Sequence, residues 1–297
     1  MLSILIPTYN YNVVPLVLEL HKQCLECEIN FEVLCQDDGS NSDLNTENEI
    51  INSLENCSFF VNSNNLGRGK NINSLAEKAK QDFLLILDCD TFPTQNNFIK
   101  SFISTTINTE HRVVFGGIQY KKEKPENEKL LRWVYGNKRE ALSLNVRNEK
   151  PNSSALTSNL LIKKELFIEN QFDKSITKYG YEDLVFLSDL EKKGILVKHI
   201  DNTTYHLGLE TSQQFLEKTK TALENLILLE KENKIDVLNV RIIRFSTFLK
   251  TIKATWIISR LYHLFEKPIS KNLTGNNPNL LIFDLFKIGY LCKLNTL

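Results

Sequence analysis

Two aspartates stand two residues apart, Asp88 and Asp90, at the end of the apolar run Phe83 to Leu87, and Pro93 closes the stretch. Alternate residues of an extended chain project to one side, so both carboxylates can approach one cation, and anions this close repel unless something positive lies between them. Such oxygen donors suit Mg²⁺ or Mn²⁺, which keep several waters and take phosphate oxygens as further ligands. A strand-end turn with aspartates capping the next helix explains the same tripeptide. A second cluster, Asp37-Asp38-Gly39-Ser40, has the chemistry to hold a base and ribose, because a carboxylate accepts from an imide N–H or a hydroxyl pair; an ordinary Asp-Gly turn is the duller alternative. Pro7-Thr8-Tyr9-Asn10 ends another apolar run, and Tyr9 offers a flat face on which a base can stack. Glu182 and Asp183, in Tyr179-Gly-Tyr-Glu-Asp-Leu184, fall at the start of a helical pattern, where capping by itself accounts for an acidic pair.

The elements that must carry these residues alternate. Leu2 to Ile6, Phe31 to Cys35, Phe59 to Val61, Phe83 to Leu87 and Val113 to Ile118 read as strands, apolar enough for a parallel sheet covered on both faces. Between them Val13 to Cys27, Asp43 to Leu54, Lys70 to Lys80 and Asn97 to Thr106 have helical spacing. This is the pattern of an open α/β sheet, whose right-handed crossovers bring strand carboxyl ends, and with them the three polar clusters, to one edge. From Tyr120 to Leu156 the pattern weakens into a charged insertion of the kind that forms a lid or binding loop, where Trp133 and Tyr135 could stack on a sugar ring or belong to a core. Asn159 to Leu166 reads as a strand, Tyr181 to Lys193 as a helix stopped by Gly194, and Thr211 to Glu232 as a long amphipathic helix.

In the 297 residues, 36 basic side chains cancel 36 acidic ones, so no global field argues for a nucleic-acid partner. The balance is uneven: residues 1 to 100 hold 6 Lys/Arg against 14 Asp/Glu, and residues 235 to 297 hold 9 against 3. Six scattered cysteines lack the density of a disulfide scaffold and fit a reducing cytoplasm; Cys24-Leu-Glu-Cys27 has zinc-like spacing without a second pair to complete four ligands. There is no basic segment followed by a long apolar stretch at the N-terminus and no run long enough to span a bilayer, so a cytoplasmic protein is expected.

Ser3-Ile-Leu-Ile-Pro-Thr-Tyr-Asn10, Gln36-Asp-Asp-Gly-Ser40, Asn65-Leu-Gly-Arg-Gly-Lys-Asn-Ile-Asn73 and Leu87-Asp-Cys-Asp90, in this order and spacing, resemble the nucleotide-sugar-binding half of family-two glycosyltransferases of GT-A fold. The likeness extends to about residue 230 through Leu131 to Gly136, Thr157 to Leu161 and Tyr179 to Asp183, and is strongest to small bacterial enzymes. It implies an α/β fold with an open, mainly parallel sheet flanked by helices: a domain over 1–232, divided into a nucleotide-sugar half at 1–118 and an acceptor-binding, catalytic half at 119–232, followed by a helical basic region at 233–297.

By resemblance, Tyr9 and Asp38 contact the nucleobase, usually uracil, with Pro7 lending backbone contacts. Asp88 would face ribose or metal, Asp90 would ligate Mn²⁺ or Mg²⁺, and His206 would be a third ligand. Asp183 would be the general base of an inverting reaction and Glu182 would position the acceptor. Members commonly carry Ala-Arg-Asn where Asn71-Ile72-Asn73 stands here, which leaves Arg68 or Lys70 to reach the diphosphate. The expected activity is transfer of a sugar from a UDP-sugar to a hydroxyl of a glycan or lipid-linked acceptor, in bacterial surface polysaccharide synthesis. A non-catalytic nucleotide- or glycan-binding scaffold and a nucleotidyltransferase on a related sheet are the alternatives; the latter lacks its glycine-rich phosphate loop here. A glycosidase would need two carboxylates flanking a bond from opposite faces, which Asp88 and Asp90 are too near in sequence to do. In the tail, apolar pairs interspersed with Arg and Lys could lie on the inner surface of the membrane or pack against the catalytic domain.

Overall fold

Near-continuous apolar runs set the sheet. In a computed structural model, which describes residues 1–106, 112–235 and 240–296, β1 (Leu2–Thr8), β2 (Phe31–Asp37), β3 (Cys57–Val61) and β4 (Phe83–Leu87) run parallel. Residues 236–239 and 297, inside the expected basic region, lie outside the described residues. The chain continues through β5 (Thr91–Pro93), β6 (Val113–Phe115), β7 (Ile118–Gln119), β8 (Asn159–Lys163), β9 (Lys198–His199) and β10 (Thr204–His206). The main sheet has the order β3-β2-β1-β4-β8-β6-β9, with β8 antiparallel to both neighbours, and a small sheet has the order β5-β10-β7. The expected strand Val113 to Ile118 is two strands: the chain leaves the main sheet at Gly116-Gly117 and enters the small one.

Side chains alternate across the main sheet, so each strand supplies both cores. Leu2, Ile4, Ile6, Val33 and Cys35 face α1 (Val14–Glu26) in one apolar cluster, which also holds Phe98 and Phe102. Leu5, Leu34, Leu84 and Ile86 belong to the other, with Ile72 and Leu75, Phe167, Phe186 and Leu190. Truncating a side chain such as Phe102, fully buried, to alanine is expected to cost about 3–5 kcal/mol through the cavity it leaves. The chain's further helices up to Lys192 are α2 (Leu44–Asn48), α3 (Arg68–Lys78), α4 (Phe98–Thr106), α5 (Leu130–Tyr135), α6 (Leu144–Glu149), α7 (Lys164–Glu169) and α8 (Glu182–Lys192), all but α5 packed with the sheets. Two further sequence expectations are modified: Asp43 to Leu54 is α2 followed by a 3₁₀ turn at Glu49–Ser53, and Asn159 to Leu166 is a five-residue strand running into α7.

Two compact units emerge. The first comprises 1–121, 141–177 and 182–208, and holds both sheets. The second comprises 122–140, 178–181 and 209–297, so it takes in both α5 and the long helix assigned from sequence to the catalytic half. Its helices are α5, α9 (Ser212–Lys231), α10 (Arg241–Thr251), α11 (Thr255–Leu273) and α12 (Leu280–Leu294). Thr211 starts α9 with a capping box, its hydroxyl accepting from Gln214 N while the Gln214 side chain accepts from Thr211 N, which satisfies two of the N–H groups a helix start leaves open. Leu131, Leu216, Tyr262, Leu273, Phe283 and Phe286 form its core. Tyr135 packs on Phe215 and Phe283 there, with ring centres 5.3 and 5.5 Å away, so of the two readings open for it the core one holds. Among the described residues no helix is long and apolar enough to cross a membrane.

Candidate active site

Strand register builds the site. Thr8 stands beside Asp37 where β1 and β2 end, and Leu87 of β4 pairs with Asn159 of antiparallel β8. The chain just beyond β4 therefore meets the chain just before β8: Asp88 N donates to Ser158 O at 3.2 Å, with Thr157 next in line. In the small sheet Thr91 pairs with His206, which brings Asp90 beside the end of β10, and Leu207 N donates to Asp90 O at 2.7 Å.

Arg68, the first residue of α3, is the centre of the arrangement. Its Nε and Nη2 donate to Asp88 Oδ1 at 2.8 and 2.6 Å, and its Nη1 donates to Asp183 Oδ1 and to Thr157 Oγ1, both at 2.9 Å. Thr157 in turn donates its hydroxyl to Asp183 Oδ1 at 2.6 Å and its N–H to Asp183 Oδ2 at 3.2 Å. Asp183 lies in the first turn of α8, so helix start and threonine together fix its carboxylate. Burial acts to lower the Arg68 pKa, but Asp88, Asp183 and then Glu182 more than offset it, and the guanidinium stays charged. The Asp88 carboxyl is raised above its ordinary range by burial, with Asp90 and Asp183 adding to the rise and Arg68 opposing it.

Asp38 acts one step behind. It is 4 % exposed, and its carboxylate accepts from Leu66 N at 2.9 Å, Gly67 N at 2.8 Å and Asn62 Nδ2 at 3.1 Å. The loop it grips leads directly into Arg68. Gly39, at φ +69°, lies so close to this loop that a Cβ would stand 2.7 Å from the Asn64 carbonyl carbon, so only glycine fits. Asp37 is spent on the turn itself, accepting from Ser40 N, Ser40 Oγ and Asn45 Nδ2. Tyr9 is 56 % exposed at the end of β1, and Pro7 is buried within that strand.

Asp90 and His206 form a pair, with Oδ2 and Nε2 3.5 Å apart, and the imidazole stacks on Tyr120 at 5.4 Å between ring centres. Gly208 lets the Asp90 carboxylate approach: a Cβ there would lie 2.1 Å from Oδ2. Carboxylate oxygens and an imidazole are chemically apt for Mn²⁺. Among the described residues no three His, Cys, Asp or Glu side chains converge on one point, and Asp88 Oδ1 is engaged by Arg68. In donor chemistry the Asp90 carboxylate and the His206 imidazole fit such an ion.

Of the residues singled out in the sequence, Arg68, Asp88 and Asp183 are thus joined directly, Asp90 joins His206, and Asp38 reaches the cluster through a loop. Glu182 opens α8 beside Asp183, and Lys70, two residues past Arg68, enters no hydrogen bond or ion pair among the described residues. Ile72 is fully buried in the core, and Arg68, one turn earlier on the same helix, is the cation that reaches the acids. Thr157, Asn62 and Tyr120 were not foreseen. Only the antiparallel pairing of β8 with β4, a long-range event, reveals Thr157.

A family model described as glycosyl transferase family 2 matches residues 3–170, more than half of the chain, which places it among enzymes that transfer sugars. The chain belongs to glycosyl transferase family 2 and is a glycosyltransferase of GT-A-like fold. No curated protein matches it. Among solved structures it is similar to the mannosyltransferase PcManGT from Pyrobaculum calidifontis in complex with GDP-Man and Mn²⁺, at 11 % identity and TM-score 0.57, over 100 % of this chain and 88 % of that one. It is also similar to S. aureus TarS 1-349, at 17 % identity and TM-score 0.50, over 99 % and 90 %. Against the longer S. aureus TarS chain, at 19 % identity and TM-score 0.48, 76 % of this chain matches and it spans only 39 % of that chain's length.

Proposed function

We propose that the chain is an inverting, metal-dependent transferase that moves a sugar from a UDP-sugar to a hydroxyl of a glycan or lipid-linked acceptor, in the synthesis of a bacterial surface polysaccharide. The carrying observation is that one guanidinium holds both Asp88, of the donor-side acidic motif, and Asp183, the expected base, each within 2.9 Å. The bound nucleotide sugar and Mn²⁺ of PcManGT agree in kind with this donor and ion.

In this reading Tyr9 stacks on the uracil above Pro7, and Asp38, with about four acceptor positions on a carboxylate and three of them filled, has one left for the base. Asp88, Asp90 and His206 hold Mn²⁺ or Mg²⁺, which when bound offsets the charge of the diphosphate. Arg68 and Lys70 face the same diphosphate as positive side chains. The acceptor, positioned by Glu182, attacks C1 of the donor with its hydroxyl oxygen. Asp183 takes the hydroxyl proton, a new C1–O bond forms on the opposite side from the leaving group, and the old bond's electron pair departs with UDP. A base so placed contributes roughly 10²- to 10⁴-fold. A cytoplasmic protein resting at the inner face of the membrane would meet a lipid-linked acceptor there.

The test is a panel of UDP-sugars with Mn²⁺, following UDP release with and without acceptor, on the wild type and on Asp183→Asn. Acceptor-dependent release should fall by at least about 10²-fold in the variant. Release that the substitution leaves unchanged removes Asp183 from this role.

A further inference from the structure

The second unit carries an exposed apolar surface that includes none of the residues of the candidate site. On α11, Tyr262 and Leu273 are buried, and Tyr262 packs so closely on α12 that a Cβ at Gly289 would lie 2.4 Å from its ring. The opposite side presents Trp256, Ile257, Leu261, Leu264 and Phe265, exposed by 61, 51, 46, 70 and 49 %. Their i, i+1, i+5, i+8, i+9 spacing gathers them into one stripe along the helix. On α10, Phe245, Phe248 and Ile252 are likewise exposed while Ile243, Ser246 and Leu249 are buried. Exposed apolar side chains scattered singly are ordinary, but a continuous stripe of them marks an interaction surface.

Charge indicates what covers it. From Arg241 to Leu273 there are seven Lys or Arg and one acidic residue, Glu266, which accepts from the Tyr262 hydroxyl at 3.4 Å and so belongs to the packed side. Arg244, Lys250, Lys253, Arg260, Lys267 and Lys271 are interspersed with the apolar stripe and exposed. Arg260 lies over the Trp256 ring, 5.5 Å from its centre, an aromatic and a cation side by side. Long basic side chains can bury their stems with apolar neighbours while their heads stay at the level of phosphate groups. One-signed charge across an apolar helix face is the pattern of a helix lying in the plane of an anionic interface.

We propose that the exposed faces of α10 and α11 dock on the surface of an anionic lipid bilayer, with Trp256, Leu264 and Phe265 inserted at the level of the acyl boundary and the Lys and Arg heads on the lipid phosphates. The proposal rests on these helices alone, so it stands or falls separately from the transfer reaction.

The full chain, without donor or acceptor, is sedimented with sucrose-loaded vesicles of phosphatidylcholine containing phosphatidylglycerol, and with vesicles of phosphatidylcholine alone. Binding to the mixed vesicles at low salt, weakened at high salt and on pure phosphatidylcholine, is expected. Leu264→Gln with Phe265→Gln should abolish it, and each basic residue removed, as in Arg244→Gln or Lys253→Gln, should weaken partition about fivefold. All these positions are exposed, and far-UV circular dichroism checks that the variants keep their helices. A wild type that stays in the supernatant with both vesicle types overturns the proposal, as does a double variant that binds as well as the wild type. Concentration-dependent dimerisation without vesicle binding, lost in the double variant, also overturns it and assigns the face to a second copy of the chain.

Discussion

Arg68 and Asp183 lie 115 residues apart in the chain, yet Arg68 Nη1 donates to Asp183 Oδ1 at 2.9 Å while the same guanidinium grips Asp88. A planar fork can serve two carboxylates at once; an ammonium is a point charge and cannot reproduce the geometry. Arg68→Ala is therefore expected to lower kcat for UDP release by about 10²- to 10³-fold, the scale of losing one preorganised donor at a reacting centre. Arg68→Lys should recover little of that loss. Steady-state kinetics on both variants checks it, and a lysine variant within a factor of two of wild type would show that charge alone suffices.

Thr157 holds the other side of Asp183. Its hydroxyl accepts from Arg68 and donates to Asp183, and its backbone N–H reaches the second carboxylate oxygen. Thr157→Val keeps the shape and the N–H but removes the hydroxyl, which leaves a charged group short of one hydrogen bond, worth about 1.5–3 kcal/mol. The expected outcome is a kcat lowered by about 10- to 100-fold with the KM for the donor little changed. Thr157→Ser should restore most of the rate. A valine variant that raised donor KM alone would move Thr157 from the base to the nucleotide.

The acids and the arginine could be read from the chain because each follows a strand or opens a helix, and both positions are legible from apolar spacing and from Gly or Pro punctuation. Their partnership could not. Arg68 meets Asp88 from the start of the crossover helix before β4, and it meets Thr157 because β8 pairs antiparallel with β4; nothing local to Asn159–Lys163 specifies its neighbours. The same limit applies to Asp38. Its type and place marked it as a ligand for a base, but the fold gives three of its hydrogen bonds to the Asn62–Gly67 segment, a use that depends on which loop lies across from the turn. Strand ends are written in local sequence, whereas lateral order is decided by packing.

Gly208 tests the Asp90–His206 pair. A methyl group at this position would lie 2.1 Å from Asp90 Oδ2, so Gly208→Ala must displace the carboxylate from His206 Nε2. If Asp90 ligates the ion as proposed, disturbing its surroundings should shift the Mn²⁺ concentration giving half-maximal UDP release by about 10- to 100-fold. The rate at saturating Mn²⁺ should change less. Loss of rate at every Mn²⁺ concentration, with an unchanged midpoint, would separate Asp90 from the ion.

His199 gives the first unit a pH dependence of stability unconnected with its chemistry. The residue is 3 % exposed; its Nε2 lies 2.8 Å from Pro151 O, and its Nδ1 lies 3.3 Å from Arg147 Nη1. Nε2 must donate to the carbonyl, so Nδ1 accepts from the guanidinium and the ring is neutral. A second proton would fall between Nδ1 and a cation inside the core. Burial accordingly lowers the His199 pKa, the Pro151 hydrogen bond opposes the shift, and Arg147 adds to it. With the folded value depressed, the unfolded chain takes up the proton first as pH falls below about 6.5. Stability contributed by this group is complete above that value and is lost on further acidification towards the lower folded pKa. Thermal melts should show Tm falling as pH drops below about 6.5, and His199→Gln, which retains a donor for Pro151 and an acceptor for Arg147, should flatten that slope. An identical slope in wild type and variant would assign the acid sensitivity to other groups.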